Sequence, residues 1–349
     1  MKNNTAKIAV ILGPIIKEGG VTTFIEELSN ILIERGYCIR IITFTKYQKA
    51  SQLILNSISP NVQVFFLPKN IYDLIAFLKK RDLNLDITVS NLYYSFLLPF
   101  FISKNQIHIL HGFGNLEASL LQFIIGNLSN IIGYKFAKKI IANSYLTSSV
   151  NRILGVKHSE VTPWGIPSNF NPSIIKSFDQ REIDLLYVGR ICLTKGLKLI
   201  LKALSNILNN SGKKINFHVV GALKENLQSH QELKQASLDN IIYHGYLDKE
   251  KIVEIYSCSK LFISLNPEEP FGFTYVEALA CGTPIIIPKS CGIAPFVDSR
   301  LALFVDMNER SVAEAIEYGL SKFWNLDEIA RLSRDTFCWQ KVANVIFGE

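Results

Sequence analysis

The segment Pro267-Glu268-Glu269-Pro270-Phe271-Gly272-Phe273-Thr274-Tyr275-Val276-Glu277-Ala278-Leu279-Ala280-Cys281-Gly282-Thr283-Pro284 holds the densest set of residues able to do chemistry. It follows an apolar run, turns at a glycine and enters a helical stretch. Glu269 stands in the loop and Glu277 inside the helix. Between them the amides of Phe271, Gly272 and Phe273 are free to bind oxygens, as the first amides of a helix are. Two carboxylates on one rim suit a polyhydroxylated ligand, because each accepts hydrogen bonds from vicinal hydroxyls. A second cluster is Gly189-Arg190-Ile191-Cys192-Leu193-Thr194-Lys195-Gly196. It sets a fork-shaped cation and a point charge beside another helix start, a combination that suits a diphosphate.

Two further loops carry less specific signals. Gly13-Pro14 through Gly19-Gly20-Val21 would let backbone amides approach a ligand phosphate. It is not the G-x-G-x-x-G of dinucleotide sites, and no G-x-x-x-x-G-K-[ST] loop occurs in the chain. His111-Gly112-Phe113-Gly114 follows an apolar strand, which puts His111 at a strand's carboxyl end, where it could donate a hydrogen bond to a sugar hydroxyl.

The elements that must hold these loops alternate short apolar runs with helical periodicity. Strands are expected at Lys7–Leu12, Cys38–Phe44, Val62–Leu67, Asp86–Asn91, Ile107–His111 and Lys139–Asn143, with a helix over Val21–Arg35. The rhythm restarts with strands at Asp184–Gly189, Asn216–Gly221, Ile241–Gly245, Leu261–Leu265, Pro284–Pro288 and Leu301–Val305. Helices fall at Gly196–Leu208, Lys249–Cys258, Phe273–Ala280 and Ser311–Lys322. Continuous apolar strands are those of buried parallel sheets, so each half reads as a doubly wound α/β domain, joined near Pro163–Ser177. Two such domains would turn the carboxyl ends of their strands toward a shared cleft. That pattern alone also fits a dehydrogenase, an epimerase or a kinase-like fold.

Composition narrows the class. With 349 residues, 48% hydrophobic and 19% charged, the chain is long enough for two packed domains and too apolar for disorder. The net charge of +7 is uneven: residues 1–170 hold 17 Lys and Arg against 9 Asp and Glu, residues 171–349 hold 20 against 21. Such asymmetry fits either solubility alone or an anionic partner of the first half, a membrane surface or nucleic acid, although no nucleic-acid module is present. The six cysteines form no C-x-x-C pair, so neither zinc nor a disulfide framework is expected. Leu92–Ile102 contains Pro99 and is too short to span a bilayer, and the first residues read as a strand, so a cytoplasmic protein is expected.

The long segment resembles the mark of the retaining GT-B glycosyltransferases of family 4, the glycosyl transferases group 1: E-x-F-G-x-x-x-x-E-A-x-A-x-G-x-P, here Glu269 through Glu277 to Pro284. The resemblance extends to Gly189-Arg190 with Lys195-Gly196, to Gly19-Gly20, to His111, to Thr162-Pro163-Trp164-Gly165-Ile166-Pro167 and to Phe337-Cys338-Trp339. It implies a GT-B fold of two Rossmann-like domains facing a central cleft. Residues 1–165 would bind the acceptor and 166–335 the nucleotide sugar, with 336–349 a helix packing back toward the first domain. Arg190 and Lys195 would bind the donor diphosphate of a UDP- or GDP-sugar, and Glu277 the ribose. Glu269 would contact the sugar with the amides around Phe271, Gly272, Phe273 and Thr274. His111 would touch it from the first domain, and Gly19-Gly20 would close over the phosphate. No Asp-x-Asp occurs in the chain, so no metal or other cofactor is expected, with Arg190 and Lys195 in the metal's place. One departure is Cys291-Gly292 followed by Pro295, where the family often has Gly-Gly and a Glu.

The acceptor is expected to be a carbohydrate or lipid-linked carbohydrate of cell-surface polysaccharide, lipopolysaccharide or capsule assembly. Ser119 to Leu128, continuing to Lys135, Lys138 and Lys139, reads either as a core helix with a solvated end or as a stretch that could lie on an anionic bilayer, making the enzyme peripheral on the inner face of the membrane. The alternatives are a non-catalytic nucleotide-sugar-binding partner of another transferase, or a GT-B-like epimerase.

Overall fold

The computed structural model describes residues 7–14, 19–44, 62–68, 70–79, 85–112, 120–191, 195–222 and 240–348. The chain forms two compact units: Met1–Trp164 with Trp339–Glu349, and Gly165–Cys338.

The first unit is built on β1 (Lys7–Leu12), β2 (Tyr37–Phe44), β3 (Val62–Leu67), β4 (Leu85–Asn91), β5 (Ser103–Leu110), β6 (Lys139–Ala142) and β7 (Glu160–Val161). They form one sheet in the order β3-β2-β1-β4-β5-β6-β7, parallel at every pairing. Val10, Ile11, Leu12, Ile39, Ile41, Val89 and Ile109 are all buried, which explains why these strands read as unbroken apolar runs. Helices Gly20–Glu34, Ile71–Lys79, Leu120–Phe136, Tyr145–Ile153 and Trp339–Phe347 complete the unit. The last is tied in by Arg35 Nη2 donating to Asn344 Oδ1 at 3.3 Å and by the Trp339 ring, tilted 54° to that of Phe24 at 5.8 Å.

Strand β5 begins four residues before the expected Ile107. Ser103-Lys104-Asn105-Gln106 is polar, yet its backbone pairs with β4 from Leu85↔Ser103 onward. The side chains of Ser103 and Gln106 are satisfied locally, on the Asn105 and Leu98 carbonyls. The apolar run Leu92–Phe100 is neither strand nor α-helix but a 3-10 segment containing Pro99. It packs on Leu120–Phe136 through Ser95 Oγ to Ser129 Oγ at 2.6 Å and Ser129 Oγ to the Leu92 carbonyl at 2.7 Å.

A buried polar chain crosses this unit. Asn130 Nδ2 donates to Asn151 Oδ1 at 2.7 Å, so Asn130 Oδ1 is the acceptor that faces His108 Nε2 at 3.2 Å. His108 therefore carries its proton on Nε2, and Nδ1 accepts from the Ser90 hydroxyl at 2.9 Å. Gly133 passes so close that a Cβ would lie 2.3 Å from the imidazole. Burial pushes His108 down to about 4 from 6.5, opposed by its bonds to Asn130 and Ser90. An imidazole held neutral when folded but free to protonate when unfolded removes stability as pH falls from about 6.5 toward 4. The loss is on the order of 3 kcal/mol once complete. Denaturant unfolding at pH 7 and pH 5 checks this: a clear drop at pH 5 is expected, reduced in His108→Asn, and an equal stability at both would contradict it.

The second unit contains β8 (Ile183–Val188), β9 (Phe217–Val220), β10 (Ile241–Gly245), β11 (Ser259–Ile263), β12 (Ile285–Pro288) and β13 (Ala302–Val305). Their order is β10-β9-β8-β11-β12-β13, again all parallel. Helices Leu197–Ser211, Lys249–Ser257, Phe273–Ala280, Glu309–Ser321 and Leu326–Thr336 cover it. Arg181, 1% exposed, donates to the carbonyls of Lys176, Ser259 and Cys281 and to Thr283 Oγ1 at 2.7 to 3.2 Å. A buried guanidinium with every branch bonded to oxygen stitches the entry to β8, the start of β11 and the end of Phe273–Ala280 together. Both units are Rossmann-like, doubly wound parallel α/β domains, as the sequence implied.

Candidate active site

In the second unit the chain winds one way from β8 through β9 to β10, then returns to build β11, β12 and β13 on the other side. The loops leaving β8 and β11 therefore diverge, which opens a crevice at the carboxyl ends of these adjacent strands. Both chemically loaded segments lie there. Gly189, Arg190 and Ile191 leave β8, and Lys195-Gly196 opens the helix Leu197–Ser211. Residues 264–272 leave β11 and open the helix Phe273–Ala280. Cys192 to Thr194 lie outside the described residues.

The two loops touch through their backbones, Leu265 N donating to the Lys195 carbonyl at 3.3 Å. Gly196 makes that approach possible: with φ +70, a Cβ there would lie 2.6 Å from the Leu265 carbonyl oxygen. Gly272, at φ +83, leaves no room for a Cβ beside the Tyr275 ring at 2.4 Å.

Across this junction Lys195 Nζ donates directly to Glu269 Oε2. Asn266 Nδ2 donates to the same oxygen at 3.1 Å, while Gly292 N holds the Glu269 carbonyl at 2.8 Å. The Arg190 guanidinium is exposed and has no partner among the described residues, although its carbonyl accepts the Tyr187 hydroxyl at 2.7 Å. Glu277 sits one turn into its helix, where Tyr256 Oη donates to Oε2 at 3.2 Å. Burial pushes this carboxyl up to about 7, with the Tyr256 bond and the Lys249 charge pulling it partly back. Phe271 is buried against Phe273 and Phe337, and Thr274 is half-buried.

Helix starts divide into two kinds. Asp248, Asn308, Asn325 and Ser144 each cap a following helix by accepting an amide hydrogen bond on the side chain. The helices following β1, β8 and β11 start instead at Gly19, Gly196 and Gly272, and none has a side-chain cap. No capping side chain covers these starts, and the positive end of each macrodipole favours an anion.

In the first unit the winding reverses between β1 and β4. Gly19 and Gly20 are exposed at the start of Gly20–Glu34. Asn91, the last residue of β4, donates from Nδ2 to the Leu12 carbonyl at 3.1 Å, so its Oδ1 is the acceptor facing His111 Nε2 at 2.7 Å. His111 thus spends its proton within the protein, and a sugar hydroxyl could only donate to Nδ1. Nε2 is therefore the donor on Asn91, and Nδ1 is the ring nitrogen left to accept. Burial, and then the nearby His108, push His111 down to about 3, so it is neutral at physiological pH. Phe24 meets its ring edge-on at 4.9 Å, and Asn143 Nδ2 holds its carbonyl at 2.9 Å. Phe113-Gly114 lies outside the described residues.

Sequence reasoning overlooked the residues that orient the others: Asn91 for His111, Asn266 for Glu269 and Tyr256 for Glu277. Only Asn91 carried a usable signal, a polar residue ending an apolar central strand.

Residues 173–328 match the family model described as glycosyl transferases group 1. The chain is 22% identical over 367 residues to a component of human phosphatidylinositol N-acetylglucosaminyltransferase, covering 93% of this chain and 71% of that protein. It is 25% identical over 174 residues to D-inositol 3-phosphate glycosyltransferase of an Arthrobacter species, covering 47% of this chain and 41% of the other. Among solved structures, sucrose-phosphate synthase from Thermosynechococcus elongatus is similar with a TM-score of 0.77 at 17% identity, over 98% of this chain and 97% of the other. Anabaena HepE in complex with UDP and glucose is similar with a TM-score of 0.71 at 16% identity, over 98% and 100%. These likenesses join a group 1 glycosyltransferase domain over residues 173–328 to two α/β units of the GT-B kind, and they make the chain an enzyme of glycosyl transfer.

Proposed function

We propose that the chain transfers a sugar from a nucleoside-diphosphate sugar, UDP- or GDP-linked, to an acceptor hydroxyl with retention of configuration and without a metal. The observation that carries this reading is the meeting of Arg190, Lys195 and Glu269 with two uncapped helix starts at the β8/β11 crevice.

The roles follow from charge and geometry. Breaking a glycosyl–phosphate bond leaves negative charge on the departing diphosphate, which fixed cations and helix amides stabilise. Arg190 and Lys195 take that role, together with the amides that follow Gly196. Glu277 accepts the ribose hydroxyls. Glu269 accepts hydroxyls of the donor sugar, and the amides at Phe271, Gly272, Phe273 and Thr274 bind its remaining oxygens. Lys195 and Glu269 form an ion pair across the crevice and neutralise each other. An arriving diphosphate draws Lys195 away and frees the Glu269 oxygen, so phosphate binding and sugar binding are one exchange. In the first unit, which binds the acceptor in this reading, His111 accepts a hydroxyl at Nδ1, and the amides at Gly19-Gly20 suit a phosphate oxygen.

The biological setting we infer is assembly of cell-surface polysaccharide or glycolipid on a carbohydrate or lipid-linked acceptor, at the inner face of the membrane. Relatives named for phosphatidylinositol and diacylglycerol products support a lipid-linked acceptor. Among the described residues no helix is long and apolar enough to cross a membrane.

Incubation with a panel of nucleotide sugars tests the reaction. Release of nucleoside diphosphate is expected at an unchanged rate in EDTA, and the product should keep the donor's anomeric configuration by NMR. Loss of turnover on chelation would overturn the metal-free part, and an inverted product the stereochemical part.

A further inference from the structure

The helix Leu120–Phe136 is packed inside out. Its inner side carries Ser129 and Asn130, hydrogen-bonded to Leu92, Asn151 and His108, and Gly133 against the His108 ring. Its outer side carries Ile124, Ile125, Leu128 and Phe136, exposed by 52%, 40%, 48% and 46%. A helix on a water-soluble domain normally turns its apolar stripe inward. Here Ile124, Ile125, Leu128 and Phe136 face outward while Ile131 and Ile132 are half-buried, and the segment packed on this helix ends in exposed Phe100, followed by exposed Ile102.

Cations frame the patch. Lys135 is exposed on the helix itself, and Lys138, just beyond its end, donates to the Lys104 carbonyl at 2.7 Å. At the same end Lys138, Arg152 and Lys157 line a cavity of about 450 Å³ with Tyr134 and Ser159. Lys139, His158 and Glu160 line the same cavity, Glu160 lying 3.5 Å from Lys139, and Asp86 lies 2.8 Å from Lys104. Neither Arg152 nor Lys157 meets a carboxylate among the described residues.

We propose that this face docks on an anionic bilayer, with Ile124, Leu128 and Phe136 among the acyl chains and a lipid phosphate in the Lys138/Arg152/Lys157 cavity. Charge selects this occupant over a second copy of the chain. A two-fold pairing would set the same cationic rim against itself, whereas an anionic leaflet complements both the apolar centre and the rim. Apolar burial and cationic attraction together are what stable attachment of an interfacial helix requires. The inference deepens the proposal of a lipid-linked acceptor, and because binding is measured without donor or acceptor its failure is separate from failure of the transfer reaction.

Flotation of the full chain with vesicles tests it. Binding to phosphatidylcholine vesicles containing about 30% phosphatidylglycerol is expected, falling roughly tenfold or more in about 0.5 M salt or without the anionic lipid. The doubly substituted Ile124→Gln/Leu128→Gln protein should lose a similar factor, and so should Lys135→Glu/Arg152→Glu, with thermal stability and donor hydrolysis unchanged because all four side chains lie outside the donor crevice. Absent binding, or equal binding by the wild type and both variants, would overturn the proposal. A concentration-dependent dimer by ultracentrifugation that Ile124→Gln/Leu128→Gln abolishes would overturn it in favour of a second copy.

Discussion

Lys195→Ala should lower kcat by about 10²- to 10³-fold, the loss expected when one preorganised group stabilising a developing anion is removed. The fold should survive, since Lys195 and Glu269 are partly exposed and Glu269 keeps the Asn266 amide. Glu269→Ala should cause a comparable loss, because the donor sugar then lacks its carboxylate acceptor. The double substitution should cost less than the product of the two, since each residue's resting state depends on the other. Steady-state kinetics with the donor identified by the panel, beside a melting curve for each variant, decides the matter. Full activity in both single variants would remove the crevice from the mechanism.

Glu277→Gln should move stability and donor affinity in opposite directions. A carboxyl raised from 4.5 to about 7 in the folded protein binds its proton more tightly folded than unfolded. Stability is therefore lost as pH rises from 4.5 toward 7, and the penalty is complete above it. Its size is on the order of 3 kcal/mol. Glutamine keeps the shape and can still accept the Tyr256 hydroxyl without carrying charge. The variant should melt several degrees higher than wild type at pH 8 and about the same at pH 4. Donor affinity at pH 8 should fall about 10- to 100-fold with the loss of a charge-assisted bond to the ribose. An equal melting temperature at pH 8 would mean the carboxylate is better solvated than its surroundings imply.

Much of this was legible in the sequence because buried parallel strands and glycine-started helices leave local marks. Lys7–Leu12, Val62–Leu67 and Ile241–Gly245 coincide with their strands to the residue, and Phe273–Ala280 with its helix. The polar start of β5 was hidden because main-chain pairing to β4 holds it, and pairing leaves no trace in side-chain type. Leu326–Thr336 escaped notice although Asn325 caps it and Leu326, Ile329, Ala330 and Ser333 form its buried stripe. Leu326, Ile329 and Ala330 give it a clear helical period behind the Asn325 cap, so the signal was present and was overlooked. The donor loops were readable because their glycines and charges fall within one stretch of chain. What could not be read was long-range: His111 owes its proton placement to Asn91, twenty residues away on the neighbouring strand, and Arg181 is buried only because four oxygens from distant segments meet around it.

The three helices that begin at glycine have a consequence for the life of the protein outside the reaction. Four other helices finish their starts with their own side chains, whereas these three have no side-chain cap, so a bound anion would stabilise them. An acceptor that binds only the folded form draws the population away from unfolded and locally opened states. Scarcity of donor would then leave more chains open to proteolysis, so the quantity of enzyme in a cell should follow its sugar-nucleotide supply even where transcription is constant.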